Sequence, residues 1–239
     1  MMLAPALFAE NPERDSRFTV KTLWRDMVNL RHDHPDVGIE FLHRQLNEEL
    51  NSLEIAARNL VDFPEEEWEL RLAIARQCAD EARHAIAFRR LLESRGGKIG
   101  QYPVLNFQYR IVTSIASLIG RLAVANRSFE AAGIDAIQDG IDSSRRKDDA
   151  EFMALFEAQL ADEVQHVRFA NVWVKRLIER DGARAVMALA QAVAHADQAF
   201  KQIVGEDIVI YPVAGELRRE AGFDEGEIEW VRALAEQKA

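Results

Sequence analysis

The chain has 239 residues, of which 48% are hydrophobic, and only 12 glycines and 6 prolines, a composition that favours one helical domain with a buried core over β-sheet. A formal net charge of −10 at pH 7 argues against a general nucleic-acid-binding surface, which would concentrate Lys and Arg to neutralise phosphates. The single cysteine excludes an internal disulfide, which suits a reducing compartment. No run approaches the roughly 20 apolar residues of a membrane span. We therefore expect a soluble, cytoplasmic protein without a membrane partner.

The first part of the chain is predicted to be an N-terminal extension over residues 1–36. Residues 1–17 resemble a loose leader, and residues 18–33 are predicted to form a short helix. A long helix is then predicted over about residues 37–62. Glu49 lies within the apolar stripe of that helix, where a core residue would normally be found.

Three further long helices are predicted, over about residues 65–94, 107–142 and 148–180. Each carries one glutamate at a core position of its apolar stripe, namely Glu81, Glu130 and Glu163. The four helices over residues 37–180 are therefore predicted to form an all-α bundle with four inward acids. Residues 181–239 are predicted to form a fifth helix and a C-terminal helical tail packed on the bundle, which gives one domain overall.

A five-residue motif occurs twice. Asp80-Glu81-Ala82-Arg83-His84 returns as Asp162-Glu163-Val164-Gln165-His166. Residues three apart on a helix lie about 60° from each other, so the Glu and His of each motif point into the same space. Glu49 precedes the first motif's glutamate by almost the same interval as Glu130 precedes the second's. The chain thus reads as two copies of one unit, each a helix with one Glu followed by a helix with Glu-x-x-His, which is the ligand pattern of di-iron and di-manganese carboxylate bundles.

Four buried carboxylates would be too costly without compensating charge. Arg83 and Arg127 could pair with some of them, but no set of inward Arg or Lys matches four inward acids. Two divalent cations would compensate the charge directly, and oxygen ligands with a minority of imidazole suit Fe or Mn better than a thiolate-closed structural zinc site, although Zn could occupy the site in a purified sample. The predicted metal ligands are Glu49, Glu81, His84, Glu130, Glu163 and His166.

Other polar residues recur near these ligands. Asp80 and Asp162 each precede a ligand glutamate, and we predict that they support the ligand histidines by accepting the distal ring N–H. Cys78 lies one turn before Glu81, where a small core residue is a better interpretation than a ligand.

A second recurring pair is Glu54 and Asp135, each five residues after the first acid of its copy. These residues could support the ligands, pair with Arg83 or Arg127, or be relics of the repeat. Glu54 lies about 140° round the helix from Glu49, so the helical faces favour Glu49 as the ligand.

The motifs resemble those of a known superfamily. The Asp-Glu-x-Arg-His form of residues 80–84 is similar to the bacterial hydroxylase branch of the ferritin-like superfamily of di-iron carboxylate proteins, and the resemblance covers about residues 38–180. Residues 49–54, 130–135 and 217–223 are similar to a bacterial ferritin-like family of unassigned function. The resemblance implies a ferritin-like four-helix bundle with a di-metal core held by the six ligands above. It does not identify a substrate.

The leading hypothesis for the activity is an O2-dependent oxidase or oxygenase acting on a small organic substrate. The candidate walls of its apolar pocket are Ala85, Phe88, Ala123, Gly133 and Ile134, each also explicable as plain core. The alternatives are ferritin-like iron oxidation and storage, oxidative-stress scavenging, and a non-enzymatic bundle stapled by metal. The sequence identifies no electron donor, and it is compatible with a homodimer.

Overall fold

The computed structural model describes residues 15–28, 30, 33–205 and 211–236. It is mostly helical, which confirms the predicted all-α class. The chain divides into two compact units, and each is described by itself. Unit 1 comprises the described residues within Met1–Ile115 and Ala196–Glu206, and unit 2 those within Ala116–His195 and Asp207–Ala239. Most of the predicted leader, residues 1–14, lies outside the described residues.

The described part of unit 1 begins with a short strand rather than the short helix predicted over residues 18–33. Strand β1, Thr19–Lys21, pairs in parallel with β2, Pro103–Leu105, and a 3₁₀ turn follows at Trp24–Asp26. The prediction of a helical N-terminal extension is therefore wrong for this stretch. Thr19 and Val20 are β-branched and favour extended backbone, and their hydrogen-bonding partner lies far along the chain, beyond both long helices of the unit, where local periodicity cannot reveal it.

Two long helices form the core of unit 1. Helix α1 spans Val37–Asp62 and helix α2 spans Trp68–Ser94, and the two pack along each other. Both helices follow the apolar stripes seen in the sequence, and Gly96, with φ of 84°, lies just beyond the end of α2. The fully buried side chains of this core include Leu42, Leu70, Ile74, Phe88 and Leu92.

The third predicted helix, over residues 107–142, is not continuous. It consists of α3, Phe107–Thr113, then α4, Leu118–Val124, then a π-helical segment, Ala125–Glu130, and finally α5, Ala131–Arg146. The break after α3 has a local cause, because the Ser114 hydroxyl donates to the Ile111 carbonyl at 2.6 Å and the Ser117 hydroxyl accepts from the Gly120 N–H at 3.3 Å. Such side-chain bonds end one helix and cap the next.

Unit 2 is built around α5 and the long helix α6, Ala150–Asp181. The Asp149 carboxylate caps α6 by accepting from the Phe152 N–H at 3.2 Å. Gly182 follows the last residue of α6, and α7 then begins at Ala183 and spans Ala183–Ile203, which confirms the predicted fifth helix.

The C-terminal tail forms two helices, α8, Gly215–Glu220, and α9, Glu225–Glu236, as predicted. The tail closes a hydrophobic cluster over α5 and α6. Its buried members are Ala131, Ile134, Val164, Val167, Ala221, Phe223 and Ile228.

No helix among the described residues combines the length and the hydropathy needed to span a lipid bilayer.

Candidate metal centre

Three predicted ligands come together within unit 1. Helix α1 supplies Glu49, and helix α2 supplies Glu81 and His84. The His84 Nδ1 lies 3.2 Å from Glu49 Oε2 and 3.3 Å from Glu81 Oε2, and all three side chains are at most 7% exposed. One ligand atom from each residue lies within 4.8 Å of the others. We call this group triad 1, and its composition could hold a metal ion.

The same arrangement occurs within unit 2. Glu130 is the last residue of the π-helical segment, and α6 supplies Glu163 and His166. The His166 Nδ1 lies 3.3 Å from Glu163 Oε2, and one ligand atom from each of the three residues lies within 4.8 Å of the others. Glu163 and His166 are buried and Glu130 is half-buried. We call this group triad 2.

The π-helical segment presents Glu130 differently from a continuous α-helix. A π turn takes one extra residue, which offsets the side chains before it from those after it by about 100°. Such segments occur frequently at functional sites. The π turn lies before Gly133, which the sequence analysis named only as a candidate pocket residue.

Two glutamines that the sequence analysis missed bind the glutamates of the repeated motif. The Gln77 amide donates to Glu81 Oε1 at 3.1 Å, and the Gln159 amide donates to Glu163 Oε1 at 3.3 Å. Each glutamine is 5% exposed and lies four residues before its glutamate. The repeat itself could have identified them, because both copies read Gln-x-Ala-Asp-Glu-x-x-His.

The two arginines considered as charge partners bind other acids. Arg83 donates to the Asp80 carboxylate, and its own side chain is 60% exposed. Arg127 donates to the side-chain Oδ1 of Asn171 at 2.6 Å and forms an ion pair with Glu227 on α9. Because Arg127 binds the tail and α6, it is not the charge partner of Glu130.

The predicted supporting acids occupy different environments. Asp80 is 5% exposed and forms ion pairs with Arg83 and, at 3.6 Å, with Arg76. Asp162 and Glu54 are half-buried.

Asp135 binds the C-terminal tail, which was not among the roles considered for it. Both of its carboxylate oxygens bind the C-terminal tail, through Arg218 and through the Ala214 N–H at 2.8 Å. It neither supports a ligand histidine nor pairs with Arg127. The partners of Asp135 lie in a distant part of the chain, which is why spacing within the repeat suggested the wrong ones.

The candidate pocket residues lie in the interiors of their own units. Ala85 and Phe88 are buried in unit 1, on the helix that carries Glu81. In unit 2, Ala123 and Ile134 are buried and Gly133 is half-buried, with open space where a Cβ would be added.

Cys78 resembles a core residue more than a ligand. Its Sγ contacts the Leu53 carbonyl oxygen at 3.8 Å. Burial raises the pKa of the thiol to about 11, and the negative charge of Glu81 adds to the shift. A thiol that holds its proton so firmly is a poor metal ligand.

The sequence was matched by a protein-family model. A family model described as "Protein of unknown function (DUF455)" matches residues 4–229. No curated protein and no solved structure matches the chain significantly.

Proposed function

The chain belongs to the DUF455 family of proteins of unknown function, and we propose that it is a di-metal oxidoreductase. In this proposal, triads 1 and 2 hold two iron ions, or one iron and one manganese, and the protein is a ferritin-like four-helix bundle. Such ions, held by these residues, would supply the chemistry that activates O2 for oxidation of a small organic substrate. The observation that carries the proposal is the recurrence, in both units, of a buried His–Glu contact with a third acid beside it.

The spacing within the triads suits a shared ion. Atoms that bind one octahedral metal ion at adjacent positions, each about 2.1 Å from it, lie about 3 Å apart. The His Nδ1 and Glu Oε2 atoms of the two motifs are separated by 3.3 Å in each case. These separations support a metal ion bound by the Glu and His of each motif.

The charge of the triads also requires compensation. Glu49, Glu81 and Glu163 are all at most 5% exposed, and buried carboxylates are costly unless cations neutralise them. Carboxylates with imidazole, and without a thiolate, form the donor set that iron and manganese prefer. Zinc could still occupy the same ligands in a purified sample.

The bound metal pair would supply the electrons that reduce O2 during oxidation of the substrate. The chain's own contribution is to hold the ions, to leave positions open for O2 and to keep bulk water away. In the proposal, the apolar side chains that do this are Ala85, Phe88, Ala123 and Ile134, with Gly133 leaving room for the substrate.

Metal analysis followed by a reaction with O2 tests the proposal. Protein made in iron-replete cells should contain about two metal ions per chain. After anaerobic reduction, mixing with O2 should produce a transient visible absorption, and a chemical reductant should sustain O2 uptake. Tightly held metal that is inert to O2 would instead indicate a bundle stapled by metal, and uptake of many iron ions per chain would indicate storage.

A further inference from the structure

We propose that Gln77 and Gln159 are positioning residues, each of which orients the metal-binding carboxylate of its motif. This inference rests on the proposed function. Each glutamine would hold one oxygen of its glutamate, so that the other oxygen stays turned toward the histidine and the metal. Neither glutamine is among the six predicted ligands.

The contacts are the same in both units. In unit 1, Glu81 Oε1 accepts from the Gln77 amide at 3.1 Å, whereas Glu81 Oε2 lies 3.3 Å from His84 Nδ1. In unit 2, Glu163 Oε1 accepts from the Gln159 amide at 3.3 Å, and Glu163 Oε2 lies 3.3 Å from His166 Nδ1. Each carboxylate is therefore held at both oxygens, and its two oxygens face different partners.

The geometry of the helix explains why the glutamine lies at this position. Residues four apart are neighbours on one helical face, so a Gln four positions before the Glu can reach along the same stripe. The amide lies where bulk water is largely excluded, since each glutamine is 5% exposed. It thus fixes the rotation of the carboxylate, which is otherwise a broad and weakly defined torsion.

The chemistry favours an amide over a charged donor. A lysine or arginine at this position would neutralise the carboxylate and compete with the metal ion for it. An amide N–H donates a hydrogen bond without adding charge, so the full negative charge of Glu81 and Glu163 remains available to the ions. Partners that hydrogen-bond to ligating carboxylates in this way commonly change metal affinity by about 10–100-fold.

The test uses Gln77→Leu and Gln159→Leu in the full-length protein, because leucine preserves volume but cannot donate. Each variant is loaded with Co²⁺, and its visible spectrum and its rate of metal loss to a chelator are recorded. We expect two ions per chain, a changed spectrum and metal loss faster by about 10-fold. Gln45→Leu is the matched control, because Gln45 donates to Glu48 on α1 at 3.3 Å and belongs to neither triad; it should leave both readouts unchanged.

A purely structural role would give a different result. If the glutamines only fill space, the leucine variants will keep the wild-type spectrum and rate, and the inference is wrong although the proposed function stands. If the wild-type protein binds no Co²⁺, the inference about the glutamines and the proposed function are both wrong. If a leucine variant does not fold, Gln77→Asn and Gln159→Asn replace it, because asparagine remains polar but is too short to reach the carboxylate. These variants should also lose metal faster than wild type. A wild-type rate of metal loss in them would overturn the inference.

Discussion

The Arg218 guanidinium binds the Asp135 carboxylate, with Nη2 2.6 Å from Oδ2, and both side chains are at most 7% exposed. The same guanidinium donates to the Ala131 carbonyl at 3.1 Å and lies over the Phe223 ring. Arg218 thereby joins the C-terminal tail to the start of α5, just beyond Glu130.

Asp135→Ala should destabilise the protein strongly. The substitution leaves the buried positive charge of Arg218 without its carboxylate counter-charge, which costs about 3–5 kcal/mol. Urea unfolding of the metal-free protein measures the change in free energy of unfolding.

An apolar double variant is the control for that experiment. Asp135→Leu combined with Arg218→Met removes both charges, and its free energy of unfolding should be much closer to wild type than that of the single variant. Equal losses in the single and double variants would contradict a dominant role for the uncompensated charge.

The ligand assignment predicts loss of metal without loss of fold. Glu81→Ala or His166→Ala should release bound metal while far-UV circular dichroism shows that the helices persist, because removing one ligand leaves too few donors for tight binding. Glu93→Ala is the matched control on α2, since Glu93 pairs with Arg89 on the surface. Unchanged metal content in both ligand variants would refute the assignment.

Much of the helical framework could be predicted from sequence because its causes are local. The stripes of α1 and α2 are long and regular, and Pro64 and Gly96 mark where helices cannot continue. The acids in those stripes pointed to the triads for the same reason, since a glutamate in place of a core residue is visible without tertiary information.

The features that were missed depend on distant partners or on small changes in backbone bonding. Strand β1 requires β2, and Asp135 requires the tail. The break at Ser114–Ser117 and the π turn before Ala131 alter backbone hydrogen bonds without altering the apolar stripe, so periodicity still predicts one helix. Gln77 and Gln159, in contrast, could have been predicted, because both copies of the repeat contain a glutamine four residues before the glutamate.

His43 should make the stability of the protein sensitive to mild acid. The ring is fully buried, its Nε2 accepts from the Gly100 N–H at 2.8 Å, and burial lowers its pKa from 6.5 to about 4. Since the unfolded chain takes up this proton more readily, the folded state loses stability as the pH falls from about 6.5 towards 4. The loss attributable to His43 should reach about 3 kcal/mol.

Urea unfolding of the metal-free protein at several pH values between 7.5 and 4.5 measures this effect. His43→Gln, which keeps an acceptor for Gly100, should show a shallower decline than wild type. His195→Asn, at an exposed position on α7, is the control and should follow the wild-type curve. A wild-type slope in His43→Gln would contradict the assignment.

Cys78 should react slowly in the folded protein. A pKa of about 11, against 9.0 for an unperturbed thiol, lowers the thiolate fraction at pH 8 by about 100-fold, and only the thiolate is nucleophilic. Alkylation by iodoacetamide, followed by mass spectrometry, should therefore be much slower than in urea. Cys78→Ala should leave the metal content unchanged, and loss of metal in that variant would instead make the thiol a ligand.

The central claim is the proposal that triads 1 and 2 hold two metal ions. Anomalous X-ray diffraction at the iron edge, from crystals of protein loaded with iron, tests it most directly. The account predicts two strong peaks per chain, one bound by Glu49 and His84 and the other by Glu130 and His166. Peaks only at the protein surface, or none near the six side chains, would contradict it.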